Sequence, residues 1–390
     1  MPWPPLDYED QLWVSAAMPP SHRSGRGEPY RSAVPPVIAN LVPDVDPDIA
    51  RAAHDAAQEL TRLDAELGVR VQNFAPILLR SEAASSSQIE HITASARAVL
   101  SAELGARSGR NAQEIVANTR AMTAAIDLAD DISVSSIARM HEVLMAAQPR
   151  HTPGRLRDEA VWVGTRADTP VGADFVAPHH SRVGDLMDDL VQFSRRVDLP
   201  SVTSIAIAHA QFETIHPFTD GNGRTGRAFA QSLLRHRGVT RSVAVPVSAG
   251  LLADVKGYHA ALTAYRLGDP SPIVSAFANA AVRAVHNTRS LVAELDGIRD
   301  TWSDRLSARR SSNAWRLLDV IIRMPVLTSA AAAQQLGIKQ PNVYPPLAAL
   351  VDAGILKSKS EHNLGPFWRS DEVLAAIDRF AERAGRREAS

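Results

Sequence analysis

The sequence contains no cysteine among its 390 residues. This absence excludes disulfide bonds, thiolate catalysis and cysteine-ligated zinc sites. No stretch approaches the roughly 20 apolar residues that a membrane-spanning helix needs. The first residues, MPWPPLDYED, also lack the basic and apolar regions of a signal peptide. We therefore expect a cytoplasmic protein without a membrane partner.

The sequence also lacks an excess of charge of either sign. Its 42 basic and 43 acidic side chains leave a formal net charge of −1 with histidine neutral. Bulk charge therefore gives no attraction to nucleic acid or to anionic membranes. Apolar residues make up 45% of the chain and charged residues 22%, which is the composition of a folded globular protein.

Helical periodicity dominates the sequence after a proline-rich start. Residues 1–45 contain many prolines and no regular apolar spacing, which predicts an irregular arm. From Pro47 onward, apolar side chains recur at three- and four-residue spacing and predict a succession of helices, one of them at about 77–104. Residues 152–178 differ, because two short β-branched and aromatic runs separated by turn-forming residues predict a β-hairpin.

We therefore expect a mostly α-helical fold with a small β-hairpin. A chain of this length is expected to form two or three domains. The predicted division is an N-terminal arm with helices at 1–108, a helical core at 109–290, and a C-terminal domain at 300–390.

A chemically dense segment, HPFTDGNGRTGR, occupies residues 216–227. Pro217 cannot continue the preceding helix, which therefore places His216 at its C-terminal end. Phe218 is expected to anchor the following loop in the core. The glycines of the DGNG loop permit positive φ and close approach of backbone N–H groups to a ligand. A new helix is expected to begin near 222–224, and helix starts bind phosphate.

The side chains of this segment suit phosphate chemistry. Arg224 and Arg227 are three residues apart and share one helix face. Asp220 provides the carboxylate oxygen that Mg²⁺ prefers, and an imidazole such as His216 suits base catalysis near neutral pH. The string DGNG alone would be read as an ordinary turn. The histidine, phenylalanine and arginines around it favour a nucleotide-phosphate and divalent-metal site.

The segment HPFTDGNGR followed by Arg227 resembles the full signature of Fic-domain proteins, HxFx(D/E)GNGRxxR. The residues PGRLR and VWVG within 153–164 resemble the flap hairpin of that family. Most Fic proteins transfer AMP from ATP to a serine, threonine or tyrosine hydroxyl of a target protein. The resemblance implies the same activity here, with a target protein binding at the flap at 155–176.

The resemblance also implies individual roles within the site. His216 would be the general base, and Asp220 would hold Mg²⁺ (or Mn²⁺) on the phosphates of ATP. Phe218 would support the nucleotide-binding loop. The remaining nucleotide contacts implied for this segment are Gly221, Asn222 and Gly223 around the α-phosphate, and Arg224 and Arg227 on the β- and γ-phosphates. Tyr258 is a candidate for lining the adenine pocket, although core packing is favoured for it.

A second segment, SSSQIEHI, resembles the inhibitory pattern [S/T]xxxE[G/N] of Fic proteins. Ser86 and Glu90 have the required spacing, but His91 replaces the glycine or asparagine. The resemblance implies autoinhibition, in which the Glu90 carboxylate pairs with Arg227 and displaces the γ-phosphate. A role of Glu90 in removing AMP from a target is left open.

Residues 312–370 resemble a winged helix-turn-helix. The expected recognition helix at 340–351 contains no lysine or arginine, although phosphate contacts dominate DNA affinity. It also contains Pro345 and Pro346, which are expected to bend or shorten it. Lys339, Lys357, Lys359 and Arg369 leave a modest basic patch. Protein docking or homodimerisation is favoured over DNA binding.

These observations predict an autoinhibited protein adenylyltransferase that uses ATP and Mg²⁺. One alternative is transfer of another phosphate-containing group, as in the Doc-type toxins, which depart from GNGR within the motif. A second alternative is a DNA-binding regulator that senses nucleotides with little catalysis. The intact His216 and the absence of a basic recognition helix weigh against this regulator.

Overall fold

The computed structural model describes residues 2–14, 27–164, 166, 168–361 and 365–385. These residues form a mostly helical protein, as the sequence predicts. The α-helices are α1 (Pro47–Leu67), α2 (Val71–Ile89), α3 (Ala96–Glu103), α4 (Arg110–Asp127), α5 (Val134–Met145), α6 (Val183–Ser194), α7 (Ser201–Ile215), α8 (Asn222–His236), α9 (Val247–Leu252), α10 (Val255–Arg266), α11 (Ser271–Arg305), α12 (Asn313–Arg323), α13 (Ser329–Leu336), α14 (Tyr344–Asp352) and α15 (Asp371–Ala384).

The strands form small antiparallel sheets. They are β1 (Asp7–Trp13), β2 (Glu28–Val34), β3 (Trp162–Val163), β4 (Phe175–Val176), β5 (Val326–Thr328), β6 (Lys357–Glu361) and β7 (Gly365–Arg369). β1 pairs with β2, β3 pairs with β4, and the third sheet has the order β5-β7-β6. The β3–β4 pair confirms the hairpin predicted within 152–178. It aligns Trp162 with Val176 and Val163 with Phe175.

The chain divides into two compact units, each assembled from separate segments. The first comprises residues 1–57, 124–237 and 256–278, and the second comprises 58–123, 238–255 and 279–390. The predicted division into three consecutive domains, at 1–108, 109–290 and 300–390, stays a prediction. None of the helices in the described ranges combines the length and apolar character needed to cross a membrane.

The expectation of an irregular N-terminal arm is wrong for two of its segments. β1 and β2 pair over seven residues each, from Asp7 opposite Val34 to Trp13 opposite Glu28. Most of the prolines flank these strands rather than interrupt them, and Pro29 lies near the start of β2. Because proline removes a ladder donor only where it sits within a paired segment, a proline-rich region can still contain a hairpin.

The first unit is organised around α7. From Val202 to Ile215 every side chain of this helix is buried, which is expected of a helix that is apolar on nearly all sides. α6 and α8 both pack against it, and α5 packs against α8. The C-terminal end of α7 and the start of α8 are therefore held by a common core.

The second unit places α2 against α9 and α12. The buried Glu82 on α2 accepts hydrogen bonds from the backbone N–H and the Oγ of Ser248, at 2.9 and 2.6 Å.

The helix predicted at 77–104 is two helices. α2 ends at Ile89, and α3 begins after Ser95, whose side chain caps it by accepting from the N–H of Ala98.

The C-terminal segment has the order α12, β5, α13, α14, β6, β7 and α15. Pro345 and Pro346 lie in the first turn of α14 rather than inside a longer helix, because a 3₁₀ turn precedes Tyr344. In this position their missing N–H groups cost no helical hydrogen bonds. Lys357 and Arg369 of the expected basic patch both pair with Asp371. A winged helix-turn-helix role stays a prediction.

Candidate active site

His216 ends α7 in a left-handed backbone conformation, with φ of 51° and ψ of 62°. This conformation costs a non-glycine residue roughly 1–2 kcal/mol. It turns the chain out of the helix immediately before Pro217. The imidazole Nδ1 lies 3.2 Å from the carbonyl oxygen of Glu213. Since a carbonyl can only accept, the neutral ring carries its hydrogen on Nδ1 and its lone pair on Nε2.

The loop after His216 is closed by its own side chains. The Asn222 amide accepts a hydrogen bond from the N–H of Phe218 at 2.9 Å and donates one to the carbonyl of Phe218 at 2.8 Å. The Phe218 ring is fully buried, as predicted. Because the Asn222 side chain is hydrogen-bonded within the loop, the group of Asn222 that can contact an anion directly is its backbone N–H, at the start of α8.

α8 begins at Asn222, within the range predicted from the sequence. Gly221 precedes it with φ of +73°, and a Cβ at this position would lie 3.0 Å from Met145 Sδ and 3.2 Å from Leu144 Cδ2. Glycine is thus required by conformation and by space. The first N–H groups of α8 have no partners within the helix, so this turn suits an anion.

His141 supports the loop from α5, a role that the sequence analysis did not assign. Its Nε2 lies 3.1 Å from the carbonyl oxygen of Asp220, and its Nδ1 accepts the N–H of Gly154 at 3.0 Å. The ring stacks on Phe218, with centroids 3.8 Å apart. Burial lowers the pKa of His141 to about 4. The neutral tautomer with hydrogen on Nε2 satisfies both bonds.

Arg157 is a second residue that the sequence analysis left without a role. It is 3% exposed, and its guanidinium donates to the carbonyl oxygens of His216 and Ile215 at the end of α7, at 2.7 and 3.2 Å. The same group donates to the carbonyls of Glu159 and Pro178. Burial lowers the pKa of Arg157 to about 10, so the group stays protonated at neutral pH. Only the resemblance of PGRLR to the flap could have pointed to it.

Asp220 provides the carboxylate expected to hold a divalent cation. Its Oδ1 accepts the N–H of Gly221 at 2.7 Å, and its Oδ2 lies 3.9 Å from His151 Nε2. The side chain is 45% exposed. Across the described ranges, no group of three or more histidine and acidic residues could hold a metal ion. A single half-exposed carboxylate fits Mg²⁺ that is shared with substrate phosphate oxygens.

Arg224 and Arg227 lie on α8, 5% and 2% exposed. Their three-residue spacing places both guanidiniums on one side of the helix, close to its start. Buried guanidinium groups need polar partners. The predicted pair is therefore part of the same buried region as the α8 N-terminus.

Tyr258 lies in the core of the first unit, 3% exposed. Its hydroxyl is 2.7 Å from Nε2 of His209, which is also buried. Burial lowers the pKa of His209 to about 3, so this histidine is neutral. These contacts are those of core packing, and an adenine pocket at Tyr258 stays a prediction.

The flap, residues 155–176, carries the β3–β4 pair. Trp162 is partly buried, donates from Nε1 to the carbonyl of Arg166 at 2.8 Å and packs edge-on against Trp13 of β1. Phe175 lies in an apolar cluster with Ala33 of β2, and Arg266 lies 3.7 Å above its ring. The N-terminal hairpin therefore braces the flap.

In the second unit, Ser86 lies fully buried on α2. Glu90 is the C-cap residue of α2 and is exposed. His91 follows with φ of 61°. The N–H groups of His91 and Ile92 bond to the carbonyls of Gln88 and Ser87, which is a Schellman ending. Glycine or asparagine is favoured at this left-handed position, and His91 accounts for the incomplete match to the inhibitory pattern.

Comparisons with known proteins agree with this arrangement. Residues 131–234 match the model of the Fic/DOC family, and residues 50–127 match the model of the Fic/DOC family N-terminal region. The chain is 31% identical over 145 residues to protein adenylyltransferase fic-1 of Caenorhabditis elegans, which covers 37% of this chain and 26% of that protein. The fic-1 protein of Caenorhabditis briggsae is 30% identical over 144 residues, with the same coverage.

The matched region thus spans about a quarter of the length of these curated relatives. A crystal structure of a Fic family protein from Desulfovibrio desulfuricans G20 superposes with a TM-score of 0.54 at 22% identity, covering 84% of this chain and 97% of that one. This likeness shows a shared fold. With this fold and the loop at 216–227, residues 131–234 form a domain of the Fic/DOC family, and residues 50–127 match the N-terminal region of that family.

Proposed function

We propose that the protein transfers AMP from ATP to a hydroxyl group of a target protein. The observation that carries this proposal is the position of His216. It lies at the end of α7 with its lone pair on Nε2, six residues before the α8 N-terminus that suits an anion. The adenylyltransferase names of the relatives at about 30% identity support the same reaction class.

The proposed step is an in-line displacement at the α-phosphorus. Nε2 of His216 takes the proton of the target hydroxyl as the hydroxyl oxygen bonds to the α-phosphorus. The bond from that phosphorus to the bridging oxygen of the β-phosphate breaks, and pyrophosphate leaves. A positioned base of this kind contributes roughly 10²–10⁴ in rate.

Charge stabilisation would supply most of the rest. The N–H groups at the start of α8 and the guanidiniums of Arg224 and Arg227 bind the phosphates. Asp220 would hold Mg²⁺, which neutralises phosphate charge when it is bound. Tyr258 is kept as a candidate for the adenine side of the site. The target would present its hydroxyl beside the flap, where a strand edge can pair with an extended segment.

Inhibition by Glu90 is part of the proposal. Its support is the Ser86–Glu90 pattern and the exposed carboxylate at the end of α2. A carboxylate that occupies a guanidinium fork needed by the γ-phosphate lowers transfer without removing any catalytic group. Replacing Glu90 by glutamine removes the charge with little change of shape, so Glu90→Gln and Glu90→Gly are both expected to activate the protein.

The test is transfer of label from α-labelled ATP with Mg²⁺, in the presence of cell lysate. We expect protein-bound label with Glu90→Gly and Glu90→Gln, little with the wild type, and none with Glu90→Gly/His216→Ala. Folding of each variant is checked by circular dichroism, and ATP binding by calorimetry. Equal labelling by wild type and both Glu90 variants would refute the inhibition. Labelling that survives His216→Ala would refute the assigned base.

A further inference from the structure

The end of α7 carries a conformational strain that something must hold in place. His216 adopts φ of 51°, and without support a non-glycine residue in this region relaxes toward negative φ. The backbone N–H of His216 bonds to the carbonyl of Phe212. The carbonyls of His216 and Ile215 need donors from outside the helix, because the last carbonyls of a helix have no partners within it.

Arg157 supplies those donors. Its Nε donates to the carbonyl of His216 at 2.7 Å, and one of its terminal nitrogens donates to that of Ile215 at 3.2 Å. Its backbone N–H bonds to the carbonyl of Pro217 at 2.9 Å. The guanidinium charge also lies at the negative end of the α7 dipole. Arg157 therefore fixes three successive carbonyls, two through its side chain and one through its backbone N–H, with the strained residue in the middle.

The same guanidinium binds both ends of the flap. It donates to the carbonyl of Glu159, where the chain enters the hairpin, and to that of Pro178 at 2.6 Å, where the chain leaves it. Arg157 is 3% exposed, so these bonds form away from water and are costly to break. The backbone of the base residue and the base of the flap thus share one anchor.

We propose that Arg157 is a positioning residue that fixes the backbone of His216 and joins it to the flap, so that the base and the target-binding hairpin are placed together. The expected loss of transfer in Arg157 variants rests on the proposed AMP transfer. The role of Arg157 in holding the end of α7 and the flap does not depend on that reaction.

The nucleotide-binding loop has separate supports. The Asn222 amide closes it on Phe218, and His141 bonds to the carbonyl of Asp220. Loss of Arg157 is therefore expected to affect the placement of the base and to leave ATP binding nearly unchanged. Loss of a residue with a purely structural role would lower AMP transfer and ATP binding by similar factors.

Lysine cannot replace this arginine. The guanidinium has five N–H donors in a planar fork, whereas the ammonium is a single point with three. Arg51 of α1 offers a matched control outside the flap, because its side chain is 70% exposed and its Nη2 lies 2.6 Å from Asp48 Oδ1. A pair this exposed contributes little to stability.

The experiment compares Arg157→Lys and Arg157→Ala with Arg51→Lys and Arg51→Ala in the full chain, on the Glu90→Gly background. Calorimetry gives the Kd for ATP and the fraction of binding-competent molecules, and transfer is expressed per competent molecule. We expect both Arg157 variants to lose about 10²-fold in transfer, as for a misplaced catalytic group, with the Kd unchanged within about two-fold. The Arg51 variants should match the parent.

Two further readouts separate positioning from simple destabilisation. Hydrogen exchange of peptides covering 155–164 and 213–219 should quicken in the Arg157 variants relative to the rest of the chain. Millimolar guanidinium ion should restore part of the transfer in Arg157→Ala and have no effect on Arg51→Ala. If Arg157→Ala does not fold, Arg157→Lys carries the same comparison.

Several outcomes would overturn the proposal. They are full transfer by Arg157→Lys, a loss of ATP affinity that parallels the loss of transfer, or unchanged exchange at 213–219. If the Glu90→Gly parent itself labels no protein, the proposed function fails instead. The exchange comparison then still decides whether Arg157 holds the end of α7 and the flap.

Discussion

At the scale of single residues, the backbone of the candidate site was predictable where it depends on neighbouring residues. His216, Asp220 and the start of α8 follow from Pro217 and from the glycines within a few residues. The partners of His141 and Arg157 were not predicted, because they lie 79 and 59 residues away, at Asp220 and His216. A pattern of neighbouring residues carries no signal of such contacts.

The neutral state of His141 has a consequence for stability. Its pKa falls from 6.5 to about 4 in the folded protein, so between these values the unfolded chain binds more protons. The contribution of the neutral His141 to the free energy of unfolding is therefore fully present above about pH 6.5. It falls by about 1.4 kcal/mol per pH unit as the pH is lowered toward 4. His209 adds to the same trend, with a folded pKa of about 3.

Urea unfolding at about pH 7 and about pH 5 measures this term. We expect His141→Gln, which keeps a donor and an acceptor but does not titrate, to lose less stability between the two conditions than the wild type. The same pH dependence in both proteins would show that His141 is not held neutral by the fold.

Gly226 is a residue whose importance is steric. It lies in α8 where a Cβ would be 2.6 Å from Glu213 Oε1 and 2.9 Å from Phe212 Cδ1, both on α7. Alanine ordinarily stabilises a helix interior by about 1 kcal/mol over glycine. Here overpacking, which costs about 1–3 kcal/mol, opposes that gain. We expect Gly226→Ala to destabilise the protein.

The matched control is Gly297→Ala, in α11, where no atom lies within 4 Å of the added Cβ. This substitution should be stabilising or neutral in the same urea titration. A stabilising Gly226→Ala would mean that α7 and α8 tolerate a wider separation than the structure shows.

At the scale of elements, helices were predicted better than their ends. α7 and α8 were expected from their apolar spacing and from Pro217, whereas α2 and α3 were read as one helix because Glu90 and His91 are not obvious breakers. The N-terminal hairpin was missed because its strands alternate polar and apolar residues weakly and lie among prolines. Its stability comes from packing against the flap, for example Trp13 against Trp162, which the sequence does not reveal.

The ending of α2 gives a prediction at this scale. His91 occupies the left-handed position of the Schellman ending and is exposed. Glycine has no penalty there, so His91→Gly should stabilise the protein by about 1 kcal/mol, measured as a rise in the midpoint of thermal unfolding.

The control places the same substitution in a regular helix. His286 is an exposed residue within α11, where glycine should destabilise by a few tenths of a kcal/mol. Opposite signs for His91→Gly and His286→Gly are expected. A loss of stability in both would contradict the left-handed conformation at His91.

At the scale of the whole molecule, each compact unit is built from segments far apart in sequence. The first contains the loop 216–227, the flap and Tyr258, and the second contains Ser86 and Glu90. Composition can suggest domains that follow one another along the chain. It cannot show that segments far apart in sequence fold into the same unit. The test of the proposed inhibition is functional, namely label transfer by Glu90→Gly and Glu90→Gln.

The central claim is transfer of AMP rather than of phosphate. The most direct measurement supplies Glu90→Gly with ATP labelled on the α-phosphate or on the γ-phosphate, in parallel reactions with the same lysate. AMP transfer predicts label on protein from the α-labelled donor alone, with the γ-label released in pyrophosphate. Protein label from the γ-labelled donor alone would contradict the account and identify a phosphate transferase. Label from neither donor, with ATP binding intact, would contradict it in favour of a nucleotide-sensing protein.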